Sequence, residues 1–370
     1  MLKLNGEGAY RWHTFYGGSG DDHGGAIVLD GGGNIYVAGV SDATWNGPDG
    51  EAPLNAFSSI QHTSDIVVVK TSPKDRSTTI VTSSANPSSF GQSVTFTATV
   101  TSGVGTPTGM VTFKDGGVTL GTGSLNGSGV ATYATSALAV GNHAITAEYS
   151  GDGNYLGSAS DTLAQVVNKA GTTTTLQSSA NPSTLGEEVT FTATVSGAGS
   201  TPTGSITFKD GGVTLGSGSL NGSGVATYST SALAGGSHSI TAEYGGDETY
   251  LGSSDTLEQT VNKAATTTTL QSSLNPSTFG EEITFAATVT SGVGTPTGSI
   301  TFKDGGTTLD TVSLVGGVAT YSTSALAVGN HSITAEYSGD GNYLASTGTL
   351  EQVVQMALWL PCVHVSHSAG

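Results

Sequence analysis

The residues best suited to chemistry in this chain are a few acidic and aromatic side chains in recurring loops. Asp152 and Asn154, echoed by Asp340 and Asn342, sit in Gly-Asp-Gly-Asn-Tyr runs. Oxygen ligands grouped this way at a domain end could take a hard cation such as calcium and stiffen the structure. Asp and Asn also favour turns for purely local reasons, and the middle version of the loop carries Glu248 and Thr249 instead. The tyrosines that close these loops, Tyr155, Tyr250 and Tyr343, offer either a stacking face for sugar or plugs for the end of a sandwich. Gly17-Gly18-Ser19-Gly20-Asp21-Asp22 matches the start of a calcium-binding nonapeptide. It is a single copy followed by Gly24 where an apolar residue belongs, so a turn is the plain reading. Asn126-Gly127-Ser128 and Asn221-Gly222-Ser223 fit the glycosylation sequon, but Asn-Gly is itself a turn signal.

Catalytic spacings are missing. The chain has no Gly-x-Ser-x-Gly elbow, no Gly-Lys-Ser/Thr phosphate loop, no His-Glu-x-x-His and no paired cysteines. The expectation is a protein that is not an enzyme and needs no cofactor, with calcium at the loop aspartates as the one metal to consider. The 28 acidic against 10 basic residues give a net charge of −18, which argues against nucleic acid and anionic membrane as partners. No apolar run reaches the 18 or so residues of a membrane span. A lone cysteine, Cys362, allows no internal disulfide. Charged residues are only 10% of the chain and hydrophobic ones 35%, unlike a solvated disordered polymer.

The elements that carry these loops come in three copies. Asn86-Pro87 returns at Asn181-Pro182 and Asn275-Pro276, an interval of about 94 residues, too long for a solenoid repeat. Within a copy the period is two. Val94, Phe96, Ala98 and Val100 alternate with threonines, as do the series from Val189 and from Ile283. An apolar face backed by β-branched threonine makes a half-buried antiparallel strand. A second strand, with Val111 and Phe113 (Ile206 and Phe208, Ile300 and Phe302), ends in Lys-Asp-Gly-Gly, where Asp-Gly predicts a hairpin with two positive-φ positions. Ala131 and Tyr133, Leu138, then Ile145, Ala147 and Tyr149, and last Leu163 and Val166 continue the pattern. About seven strands with no helical period predict an all-β fold of Ig-like sandwiches. Phe96, Phe191 and Phe285 are expected at the centre of each core. His143, His238 and His331 stand at the corner before the sixth strand, where a ring side chain ties back to backbone, and are expected to be structural.

The motifs Asn-Pro-Ser, Pro-Thr-Gly-x-(Val/Ile)-Thr-Phe-x-Asp-Gly and Ala-x-Tyr-x-Gly-Asp make residues 77–169, 171–263 and 265–355 resemble bacterial Ig-like repeats of the Big family. That resemblance implies an extracellular or surface-displayed spacer, with no common catalytic residues. Residues 1–70 differ. Trp12 to Asp22, Ala26 to Asp30, Gly33 to Gly39 and Asp65 to Lys70 look like one SBBP-type β-propeller repeat, with strands expected near 24–30, 34–40 and 65–71. A propeller needs about four to eight blades to close, so a single blade reads as a fragment or remnant. Met1 to Arg11 lacks the apolar core of a secretory signal. Residues 356–370 look foreign and are expected to be an unstructured tail.

The combined expectation is a non-enzymatic stalk of a secreted or cell-surface bacterial protein, with a role related to adhesion. The linkers Asn168-Lys169-Ala170-Gly171 and Asn262-Lys263-Ala264-Ala265 are too short for flexible tethers. Strands of about seven residues then predict a monomeric rod of about 100 Å for three domains. The alternatives are an adhesin module that binds a cell-surface glycan or protein, and an accessory fragment of a larger secreted enzyme.

Overall fold

Threonine alternation sets the backbone. The computed structural model describes residues 74–357 with their side chains, and ahead of them the backbone of five strands, Leu2–Leu4, Tyr10–His13, His23–Leu29, Ile35–Ser41 and Asp65–Thr71. Among the described residues every regular element is a strand. The chain divides into two compact units, Met1–Asn168 and Lys169–Gly370, so the first copy lies in one unit and the second and third share the other.

The second copy shows the plan. Val189–Gly197 lies between Thr172–Ser178 and Val225–Thr230 in an antiparallel three-stranded sheet. The facing sheet runs Ser183–Thr184, Ser253–Asn262, Gly236–Tyr244, Ser205–Asp210, Val213–Ser219. All pairs in it are antiparallel except the first, where the short strand Ser183–Thr184 runs parallel to the last strand of the copy. Val189, Phe191, Ala193 and Val195 point inward against Ile206, Phe208, Ile240 and Ala242, and all eight are buried. Each large apolar side chain buried this way contributes about 1.5–3 kcal/mol. The phenyl ring of Phe208 stacks on Tyr228 with centroids 5.7 Å apart. The first and third copies repeat the two-sheet arrangement; in the first copy the last strand is interrupted and a two-residue piece, Ser158–Ala159, pairs with Gly141–Tyr149. This is the Ig-like sandwich, enlarged beyond seven strands by the short parallel strands Ser88–Ser89, Ser183–Thr184 and Ser277–Thr278.

Two local expectations need correcting. The hairpin turn is Gly116–Gly117, not Asp115–Gly116: Asp115 still pairs with Val118, and the two positive φ values, 54° and 87°, belong to the glycines. These angles suit the primed turn that matches strand twist. In the last strand Val166 is only half-buried, while Gln165 and Val167 point into the core. An apolar residue at 166 disguises a polar residue at the buried register.

At the N-terminus, His23–Leu29, Ile35–Ser41 and Asp65–Thr71 form a three-stranded antiparallel sheet in sequence order, close to the expected positions. Leu2–Leu4 pairs with Tyr10–His13. The Gly17-to-Asp22 run, the tail from 358 onward and Cys362 lie outside the described residues.

Candidate functional site

Each copy has a polar clamp between its beginning and its end. Ser88–Ser89 pairs in parallel with Val167 and Asn168, and the Phe90 N–H donates to the Asn168 carbonyl at 2.9 Å. Just before it, the Asn86 side chain behaves like a strand residue: its Nδ2 donates to the Ala164 carbonyl at 2.7 Å and its Oδ1 accepts from the Val166 N–H at 3.0 Å. Gln165, fully buried, donates through Nε2 to the Ala85 carbonyl at 2.9 Å and to Ser88 Oγ at 3.2 Å. Asn181 with Gln259, and Asn275 with Gln352, repeat these contacts. The Asn-Pro peptides are cis in all three copies. Asn-Pro is legible as a motif, but the glutamine is not: nothing in its spacing marks a buried partner for the turn. Its recurrence at the same place in each copy is the available signal.

At the opposite end, the loop aspartates close their own loops. Asp152 Oδ2 accepts from the Thr108 N–H at 3.0 Å and the Thr108 hydroxyl at 2.7 Å. Its Oδ1 accepts from the N–H groups of Asn154 and Tyr155 at 2.8 and 2.9 Å. Burial opposes the charge, but the hydrogen bonds from Thr108, Asn154 and Tyr155 outweigh it and hold the carboxyl well below its usual 3.8. Asp247 and Asp340 are bonded and lowered in the same way. The calcium candidates Asp152 and Asp340 therefore have both oxygens engaged by protein donors. Asn154 and Asn342 contribute their backbone N–H to the same closure. Among the described residues, no group of three or more His, Cys, Asp or Glu side chains could hold a metal.

The loop tyrosines are buried, so they present no stacking face. Tyr155 donates from its hydroxyl to the Val104 carbonyl at 2.6 Å, and Tyr343 to that of Val293 at 2.7 Å; Tyr250 does the same to Ala198 at 2.8 Å and also to Ser200. Each also anchors the segment that leads into its copy. Ala170 is stitched by the bonds Ala170 N–H to Thr249 carbonyl and Leu251 N–H to Ala170 carbonyl, and Ala264 likewise to Asn342 and Leu344. The linker lysines point the same way: Lys263 Nζ donates to the Asp340 carbonyl at 2.5 Å, and Lys169 to that of Asp247. Asn126 and Asn221 use their side-chain oxygens to close turns onto Ser128 and Val130, and onto Ser223 and Val225.

The three histidines each lie between two acceptors. His143 faces Asp115 Oδ2 through Nδ1 at 2.7 Å and the Ala139 carbonyl through Nε2 at 2.9 Å. His238 and His331 do the same with Asp210 and Ala234, and with Asp304 and Ala327. Two acceptors on two ring nitrogens are satisfied together only by imidazolium. Partial burial works against the charge, but the backbone carbonyl and then the aspartate raise each pKa above 6.5. Each ring is thus tied to the backbone carbonyl four residues upstream. The sequence pattern marks the aspartate only as a turn residue; its second task as the histidine's counter-ion has no sequence signal.

Comparison with known proteins adds a family to this geometry. No curated protein matches the chain. Among solved structures, a Ca2+-stabilized adhesin with which an Antarctic bacterium binds ice is similar over 92% of this chain and all of its own, at 15% identity and a TM-score of 0.34. The Escherichia coli adhesin FdeC is similar over 75% of this chain and 96% of its own, at 15% identity and a TM-score of 0.28. A four-domain ectodomain fragment of ICAM-5 is similar over 75% of this chain and 77% of its own, at 14% identity and a TM-score of 0.37. The model of the bacterial Ig-like domain, group 3, matches residues 81–168, 175–262 and 270–355, well over half of the chain. The clamp, the loop closure and the histidine corner thus recur in three tandem domains of one kind, and the chain belongs to the bacterial Ig-like domain (group 3) family.

Proposed function

We propose that this chain is a tension-resisting spacer: a non-enzymatic stalk segment of a secreted or cell-surface bacterial protein, serving adhesion by holding another region of that protein away from its base. One observation carries the reading. In every repeat the strand near the start pairs in parallel with the strand at the end. Tension along the chain draws this short strand backward and the last one forward along a common axis. The bonds between them are then loaded together, in shear, and cannot break singly in sequence. The Asn86 and Gln165 side chains and their counterparts thicken that seam. In the second unit the stitched linker at Ala264 leaves little slack between repeats 2 and 3. Residues 12–70 are read as one propeller-type blade, a reading supported by the antiparallel sheet of His23–Leu29, Ile35–Ser41 and Asp65–Thr71.

Small-angle scattering from the whole chain tests the spacer. It expects a concentration-independent maximum dimension of about 100 Å or more, from strands of about seven residues in three tandem sandwiches. A compact particle with the radius of gyration of one globule of this length would remove the proposal.

A further inference from the structure

Within the second unit, repeats 2 and 3 meet at a joint whose residues are matched to each other. The Gly235 N–H donates to Asn342 Oδ1 at 2.8 Å. A Cβ placed on Gly235 would lie 2.7 Å from the Gly341 carbonyl oxygen and 3.3 Å from Asn342 Cα, both backbone atoms that cannot swing aside. Gly235 is not among the positive-φ glycines, so its backbone would accept any residue; what requires glycine there is the approach of repeat 3. The same position holds Val140 in repeat 1 and Val328 in repeat 3. Beside it, Val293 of repeat 3 lies against Gly186, whose added Cβ would come within 2.5 Å of a Val293 methyl. Leu185 packs against the repeat 3 core.

Exposure follows these contacts. Val293 is 41% exposed, against 68% for its counterpart Val104. At the equivalent of the receiving end, repeat 3 carries Phe279 and Val328, which are 57% and 48% exposed. Both halves of the joint are held in place by bonds within their own repeat. Asn342 is fixed by its N–H to Asp340 and by its carbonyl to Ala264. The turn before Gly235 is held by His238 on the Ala234 carbonyl.

We propose that Gly235 is a key position: repeat 2 receives repeat 3 because it alone has glycine there, and the Gly235–Asn342 contact locks the two repeats in one orientation. A repeat with valine at this position, as in repeats 1 and 3, cannot accept an Asn342-type loop in this geometry. Repeat order is therefore written into the joint, not only into the chain's covalent sequence. The consequence for stiffness rests on the spacer reading; the lock itself does not.

The test uses the full chain with Cys362→Ser and spin labels at Ser219→Cys and Ser313→Cys, both exposed. The parent should give a single narrow distance distribution. Gly235→Val should lose it while amide exchange in both repeats stays as in the parent, since valine is what the sister repeats carry there. Val328→Gly, the mirror change at an end that receives nothing among the described residues, should leave the distribution narrow. If Gly235→Val unfolds repeat 2, Asn342→Ala decides: broadening supports the lock and an unchanged width overturns it. A narrow distribution in folded Gly235→Val, or a broad one in the parent, also overturns it. None of these outcomes alters the scattering dimension or the strength of single repeats, so failure of the lock and failure of the spacer are told apart.

Discussion

Repeats 2 and 3 have closely similar interiors and different ends. Phe191 and Phe285, Phe208 and Phe302, Ile240 and Ile333 occupy the same buried places, the histidine corners make the same contacts, and the clamps differ in one bond, from the Ser178 hydroxyl to Gln259 Oε1, which Gln352 lacks. At the receiving end, Leu185 and Gly235 in one repeat stand against Phe279 and Val328 in the other. A core is held close to one volume, because loss or gain of a methylene is felt in a close-packed interior; here Val189 and Ile283 differ by one methylene at the same buried place. An end answers to whatever it touches. Variation between otherwise similar repeats therefore points to the surfaces that recognise a neighbour.

The largest effects belong to the core. Phe191→Ala should cost about 3–5 kcal/mol, and Phe96→Ala and Phe285→Ala the same within error, when native-state hydrogen exchange is read repeat by repeat. A cost below about 1 kcal/mol at any of the three would show that the interiors are not equivalent. Next come the loop aspartates. Asp152→Ala or Asp247→Ala should destabilise its repeat by about 1–3 kcal/mol, because several N–H and O–H donors lose a charged acceptor. The folded pKa of these groups is lowered, so their contribution is present above the ordinary 3.8 and is lost as pH falls through that value toward the folded one. Acid titration of the unfolding midpoint checks the sign.

The histidine corners work in the opposite sense. Their folded pKa lies above 6.5, so their contribution is complete below pH 6.5 and is lost as pH rises through the raised value. The effect should be about 1 kcal/mol or less per corner, since the aspartate partners keep contact with water. It should shrink but not vanish in Asp210→Asn for repeat 2 alone, because the Ala234 carbonyl still favours the charged ring, as followed by NMR titration of His238 beside His143 and His331. The smallest effect belongs to the rim pair of Lys114 and Glu148, 2.5 Å apart with the glutamate 46% exposed. Glu148→Gln should change stability by less than about 1 kcal/mol, and the same change at Glu243 or Glu336 should match it.

The sequence makes the interior legible and the polar seams only partly so. Period-two alternation of Val94, Phe96, Ala98 and Val100 with threonine has one physical solution, a half-buried strand, and the strand follows. The His143 corner is legible because a ring beside that turn has a backbone carbonyl to reach. Gln165 is hidden because burial of a polar side chain depends on partners about 80 residues away, Ala85 and Ser88, which no local pattern encodes. The Asp115 turn is misplaced by one residue because Asp-Gly and Gly-Gly are both good hairpin turns, and the histidine claims the aspartate for another task. The joint cannot be read from one repeat at all: Gly235 becomes informative only beside Val140, Val328 and the loop it receives.

On the spacer reading, three like domains resist tension in series through parallel seams. Single-molecule pulling of the whole chain from its two ends tests it most directly. Three separate rupture events are expected for the Ig-like repeats, each releasing about 300 Å, from roughly 94 residues at about 3.3–3.6 Å per residue less the folded length. Asn181→Ala should weaken one of the three. Extension without discrete ruptures, or one rupture releasing the whole length, would contradict it.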